Sequence, residues 1–123
     1  MPILESGENY LESILKLSEE KEKVHAIDIV NDLGFSKPSV SIMLKKLKEE
    51  GYITIGEDNS LGLTDEGFKI ADKIYERHKI LTAILIKLGV DPLVAEEDAC
   101  KIEHDLTVES FDAIKKYYNE VLK

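Results

Sequence analysis

Apolar residues recur at helical spacing along most of the chain, and one short stretch alternates as strands do. Tyr10, Leu11, Ile14, Leu15 and Leu17 give a helix over residues 6–20 one buried face, with Ser6 as hydroxyl cap and Glu8 in its first turn. The charged run 19–23 reads as an exposed helix end and loop. A short helix over about 26–33 follows, with Ile27, Val30 and Leu33 inward and Gly34 as its stop. Ser36-Lys37-Pro38 opens the next helix, the hydroxyl capping and the proline tolerated in the first turn. Its apolar face is Val40, Met43, Leu44 and Leu47, and Gly51 ends it. Residues 52–55 and 61–63 then read as two strands, joined by the turn residues Gly56-Glu57-Asp58-Asn59-Ser60.

Helical periodicity returns after the hairpin. Thr64-Asp65-Glu66 caps a long helix to about Leu88, stopped by Gly89. Asp91-Pro92 starts another to about Asp105, and Thr107 caps a last one, amphipathic through Val108, Phe111, Ile114, Tyr118 and Val121. The expected fold is mainly α with a small β-hairpin: an N-terminal winged helix-turn-helix over residues 1–65, then a helical domain over 66–123. Ile80, Leu81, Ala83, Ile84, Leu85, Ile86 and Leu88 make the long helix apolar nearly all round. That exceeds what one small core needs and points to a second subunit, although burial among the helix's own neighbours would explain it too.

Composition narrows the classes. The chain has 123 residues, a formal net charge of −9 and one cysteine, so no intrachain disulfide can form, which argues against a disulfide-framed secreted scaffold. No apolar run has the length of a membrane span, and the start lacks a signal peptide's basic region, so a cytoplasmic protein without a membrane partner is expected. Taken alone, the acidic balance disfavours nucleic acid. Residues 37–50, however, hold four lysines against two glutamates, a net +2.

That basic segment is the second helix of the winged motif, the one whose first residues meet base edges in the major groove. Here they are Ser36, Lys37, Pro38, Ser39, Ser41 and Ile42: small side chains that permit close approach, hydroxyls for phosphates or bases, and apolar groups for thymine methyls. Lys45, Lys46 and Lys48 follow as backbone contacts, with double-stranded operator DNA as the partner. A helix-turn-helix that packs protein is the bland alternative. Glu57 and Asp58 at the wing tip would repel phosphates, so few contacts are expected there.

A second constellation lies further on. At about 100° per residue, Cys100, Glu103 and His104 share a face of one helix, with Glu96 near its edge. Thiolate, carboxylate and imidazole are the usual protein donors for first-row transition metals. Asn9 with Glu12 on the first helix, and His78 midway along the long one, would join them where three helices meet. Each also has an ordinary reading: a half-exposed surface histidine, a small buried thiol, solvated carboxylates, a first-turn amide. His25 has no partner at useful spacing and reads as structural or surface.

Together the two motifs resemble the diphtheria-toxin-repressor family of metal-dependent transcriptional regulators over nearly the whole chain. The likeness runs through Glu8-Asn9-Tyr10-Leu11-Glu12, Ser36-Lys37-Pro38-Ser39-Val40-Ser41, Leu63-Thr64-Asp65-Glu66-Gly67, Arg77-His78 and Cys100-Lys101-Ile102-Glu103-His104. It implies a homodimer whose first half binds operator DNA, whose second half binds metal and dimerises, and which represses metal-uptake genes with a divalent metal as corepressor. Glu12, His78, Glu103 and His104 match metal-binding positions. Position 100 is cysteine in the iron branch and glutamate in the manganese branch, so Cys100 is of the iron type. Position 9 is methionine or aspartate in those branches, and Asn9 matches neither. Glu96 falls where the iron branch carries a second-site histidine, and Thr82 stands where an acid is expected. Length pulls the other way: the chain reads as a short form without the SH3-like third domain of iron regulators, as manganese regulators do. Ligand softness favours Fe²⁺ as the physiological metal, with Mn²⁺ the other candidate and Co²⁺, Ni²⁺ or Zn²⁺ able to substitute in vitro.

Two other classes compete. A di-iron enzyme in a four-helix bundle needs paired Glu-x-x-His motifs, whereas here Glu103 and His104 are adjacent, so no enzyme is expected. A winged-helix regulator that senses no metal would leave Cys100 as a redox or structural thiol.

Overall fold

The computed structural model describes residues 5–122. In chain order they form α1 (Glu5–Glu20), α2 (Ala26–Leu33), α3 (Lys37–Glu49), β1 (Ile53–Ile55), β2 (Leu61–Leu63), α4 (Asp65–Lys87), α5 (Pro92–Ile102) and α6 (Val108–Tyr117), with a π-helical turn over Tyr118–Leu122. The chain divides into two compact units between Lys73 and Ile74, within α4.

In the first unit, α1, α2 and α3 close around Leu11, Ile14, Ile29, Val40, Leu44 and Leu47, all buried. Polar ties reinforce this packing: Asp32 of α2 accepts from Ser13 Oγ and Lys16 Nζ of α1, each at 2.7 Å. Gly34 adopts φ 76° and sends its N–H to Val30 O, which ends α2 and turns the chain into α3. Ser36 caps α3 by accepting from Ser39 N–H, with Pro38 in the first turn. The hairpin pairs antiparallel in the register Ile53–Leu63, Thr54–Gly62 and Ile55–Leu61, and Val24 adds an isolated bridge to Leu61.

Two local expectations fail here. Ser6 does not cap α1: helical structure already includes Glu5, so Ser6 lies inside the first turn. In α2 the inward residue is Ile29, with Ile27 exposed. Positions 27 and 29 lie about 200° apart on a helix, so only one can enter the core.

In the second unit, α4 carries Ile74 and Leu81 inward, α5 contributes Ala95 and Ala99, and α6 contributes Phe111. Asp91 and Thr107 cap α5 and α6 by accepting from Leu93 and Ser110 N–H. The helix expected to reach Asp105 stops at Ile102. Glu103 closes it as cap, its N–H on Ala99 O at 3.0 Å, and Asp105 N–H then bonds Ile102 O in a tighter turn. Glu103 and His104 therefore sit on the turn leaving the helix, with Cys100 on its last full turn.

Candidate nucleic-acid interface and metal centre

All eight residues expected to meet DNA, namely Ser36, Lys37, Pro38, Ser39, Ser41, Ile42, Lys45 and Lys46, are exposed. The reason lies in the phase of α3. Val40, Leu44 and Leu47 fill the core, and at about 100° per residue this leaves Pro38, Ser41, Ile42 and Lys45 on the opposite face. Ile42 is 71% exposed, an apolar side chain on a polar surface with no packing role in the fold. Ser36 Oγ is engaged by the cap and by Ser39 Oγ at 2.8 Å, so Ser41 and Lys37 are better placed to reach outward.

The wing tip differs from simple repulsion. Asp58 accepts from Lys23 Nζ at 2.6 Å and from the N–H and Oγ of Ser60. Lys23, and then Ser60, hold its carboxyl well below the usual carboxylate range. One of the two tip acids thus carries its own counter-charge while shaping the turn, where Asn59 takes φ 62°.

In the second unit, ligand atoms of Cys100, Glu103 and His104 lie within 4.8 Å of one another. Glu103 is fully buried and the His104 side chain nearly so, while Cys100 is half-buried. Glu103 Oε2 is 2.9 Å from His78 Nδ1, so α4 and the end of α5 meet at this carboxylate. The other ring nitrogen of His78 lies 3.8 Å from Glu96 Oε1, on the exposed side of α5. Glu103 Oε1 is buried with no hydrogen-bond partner among the described residues, and His104 Nε2 stands 3.5 Å away. Burying an unsatisfied acceptor costs about 1–3 kcal/mol, more for a charged group, and a cation among these donors would remove that cost. Thiolate, carboxylate and imidazole converge as a divalent transition metal requires, so the residues fit such an ion.

Asn9 and Glu12 lie half-buried on α1 in the first unit. Thr82 Oγ1 is buried and has no hydrogen-bond partner among the described residues, and it supplies no carboxylate. Sequence reasoning gave Arg77 no role of its own, and among Asp72, Lys73, Glu76 and Lys79 of the same helix nothing singled it out. It is buried, and its Nη1 donates to the carbonyls of Glu103 and Leu106. Among the described residues, no helix is long and apolar enough to cross a membrane.

Comparison with known proteins places both halves. The family described as iron dependent repressor, N-terminal DNA binding domain, matches residues 3–61. The iron dependent repressor, metal binding and dimerisation domain, matches residues 64–122. The transcriptional regulator MntR of Escherichia coli O6:H1 is 36% identical over 110 residues, covering 89% of this chain and 71% of its own. The HTH-type transcriptional regulator MJ0568 of Methanocaldococcus jannaschii is 34% identical over 113 residues, 90% of each chain. Among solved structures, the manganese regulator SloR superposes with a TM-score of 0.81 at 29% identity over 92% of this chain, which spans 53% of SloR. With a DNA-binding domain followed by a metal-binding and dimerisation domain, the chain belongs to the iron-dependent repressor family of transcriptional regulators and is not an enzyme.

Proposed function

We propose that this protein is a cytoplasmic, homodimeric repressor of metal-uptake genes that binds operator DNA when a divalent metal is bound. The observation that carries the reading is the buried cluster of Cys100, Glu103 and His104 with His78 on Glu103, in a chain that also exposes a Ser/Lys recognition helix. The functional division lies at 65/66: residues 1–65 bind DNA and residues 66–123 bind metal and dimerise. His78, Cys100, Glu103 and His104 form the core of the ligand set, and Glu96 is its exposed flank beside His78. Glu12 joins it on the sequence resemblance, and Asn9 on its helical spacing to Glu12. A bound divalent cation supplies positive charge to a thiolate and carboxylates that otherwise repel one another. The chain's own part is to hold those donors close before binding and to present Ser41, Ile42, Lys37, Lys45 and Lys46 to the major groove.

Fe²⁺ is the proposed physiological metal because Cys100 offers a soft thiolate where a purely oxygen site would favour a harder ion. A specific observation favours the second reading, Mn²⁺: the similar solved structure SloR is described as a manganese regulator. Exposed apolar side chains at the end of α4 and the start of α5, Leu88 and Leu93 foremost, support the homodimer.

The test is fluorescence anisotropy on a duplex selected from a randomised library in the presence of metal. Protein is titrated with chelator, with Mn²⁺, and anaerobically with Fe²⁺, at fixed salt. Binding that needs metal is expected, with Fe²⁺ effective at the lower concentration. Equal binding in chelator would leave a winged-helix regulator that senses no metal.

A further inference from the structure

Arg77 is a buried cation whose hydrogen bonds go to backbone. It is 3% exposed, and its Nη1 donates to Glu103 O at 3.0 Å and to Leu106 O at 2.7 Å. Its guanidinium stands 5.2 Å from the ring centroid of Phe111 on α6. Carbonyls at a helix C-terminus lack intrahelical partners, and here one donor group joins that of the cap residue Glu103 to the loop carbonyl of Leu106, across the turn that follows α5. Burying a guanidinium is expensive, so the arrangement persists only where the surrounding contacts fix it. Glu103 and His104 both stand on the segment so clamped, and His78 follows Arg77 directly on α4. The backbone of two proposed ligands is therefore held from the helix that bears a third.

We infer that Arg77 is a positioning residue of the metal centre: it fixes the turn carrying Glu103 and His104 so that their donors meet Cys100 and His78. The inference rests on the metal-dependent reading above. Partners that orient metal ligands from behind typically contribute about 10–100-fold to metal affinity. A lysine keeps the charge, but its shorter chain and compact ammonium lose the planar group that stands over Phe111 and shift the donor relative to the two carbonyls.

The experiment titrates Co²⁺ into full-length wild type, Arg77→Met and Arg77→Lys, following the thiolate-to-Co²⁺ charge-transfer band, with circular dichroism melts in chelator on the same samples. Arg77→Met, assayed well below its melting temperature, is expected to bind Co²⁺ about 10–100-fold more weakly with an altered band. Arg77→Lys is expected to lie between it and wild type. A role in folding alone would lower the melting temperature and leave affinity and band unchanged in the folded variant, and that result would overturn the inference. If Arg77→Met does not fold, the Lys variant decides: wild-type affinity and band in folded Arg77→Lys would overturn it equally. Wild type that gives no Co²⁺ band would overturn the metal centre itself, whereas a wild-type band shared by every folded variant would overturn only the role of Arg77.

Discussion

Glu103 is closed to solvent, takes His78 on one oxygen and leaves the other beside His104 without a hydrogen bond. An ionised group so placed stabilises a bound cation and destabilises the empty fold. Glu103→Gln keeps the shape and removes the charge, so its two effects should have opposite signs. Melting in chelator should be no lower than in wild type, while Co²⁺ affinity should fall by about a hundredfold, or roughly 2.7 kcal/mol. Parallel thermal melts and metal titrations check both, and a variant that still binds Co²⁺ as wild type does would remove Glu103 from the site. Cys100 decides a different property. It is half-buried on the last turn of α5. Cys100→Glu should replace a soft donor by a hard one and swing preference from Fe²⁺ or Co²⁺ towards Mn²⁺ by about tenfold, or ~1.4 kcal/mol. Competition between the two metals for each protein reads this directly, and an unchanged ratio would mean that the thiolate does not set the preference.

At the scale of elements, the join between the hairpin and α4 is the tightest local fit. Thr64 Oγ1 accepts from Gly67 N–H at 3.1 Å and donates to Gly51 O at 2.7 Å, while Thr64 N–H bonds Tyr52 O. A Cβ on Gly67 would stand 2.0 Å from that same Tyr52 oxygen. Gly67→Ala should therefore force backbone apart and destabilise the protein by about 2–3 kcal/mol, measured by denaturant unfolding. A second prediction concerns α2, where Asp28 accepts from Lys21 and from His25 N–H. Lys21, then His25, hold its carboxyl below the usual range. A depressed folded value means stability that is full above the unfolded pKa of about 3.9 and lost as pH falls through the folded one. Melting temperature should drop more steeply from about pH 5 to pH 2 in wild type than in Asp28→Asn. Caps and stops of this kind explain why most elements were legible in the sequence: Gly34, Ser36, Asp91 and Thr107 each do locally what their residue type favours. The phase of α2 was not legible, because Ile27, Ile29 and Val30 crowd an eight-residue helix and only tertiary packing selects Ile29. The early end of α5 and the role of Arg77 escaped for the same reason. Arg77 Nη1 meets the carbonyl of Glu103, the cap residue of α5, from twenty-six residues away in sequence.

For the whole molecule the governing quantity is charge. The chain carries a formal −9 yet must approach a polyanion, and its recognition helix is locally basic through Lys37, Lys45, Lys46 and Lys48. Operator binding by two such helices would engage up to about eight phosphates, giving a slope of log affinity against log salt no steeper than about −7. Each divalent ion taken up lowers the opposing charge by two less the protons its ligands release, independently of any change in shape, so metal and DNA should favour one another. Linkage then fixes the size of the reciprocal effect: if metal raises operator affinity by a given factor, operator must raise metal affinity by the same factor. Coupling of this kind is typically about 1–3 kcal/mol, roughly 5–150-fold. Calorimetric titration of Co²⁺ into the protein, with and without saturating duplex, measures one side of this cycle, and anisotropy with and without Co²⁺ measures the other. The two factors should agree, and both should shrink in Glu103→Gln. A charge effect predicts in addition that the coupling weakens as salt rises, because screening shortens the reach of the bound ion to about 8 Å at physiological ionic strength. Coupling that persists undiminished in high salt would instead assign the effect to a change in protein conformation selected by the metal.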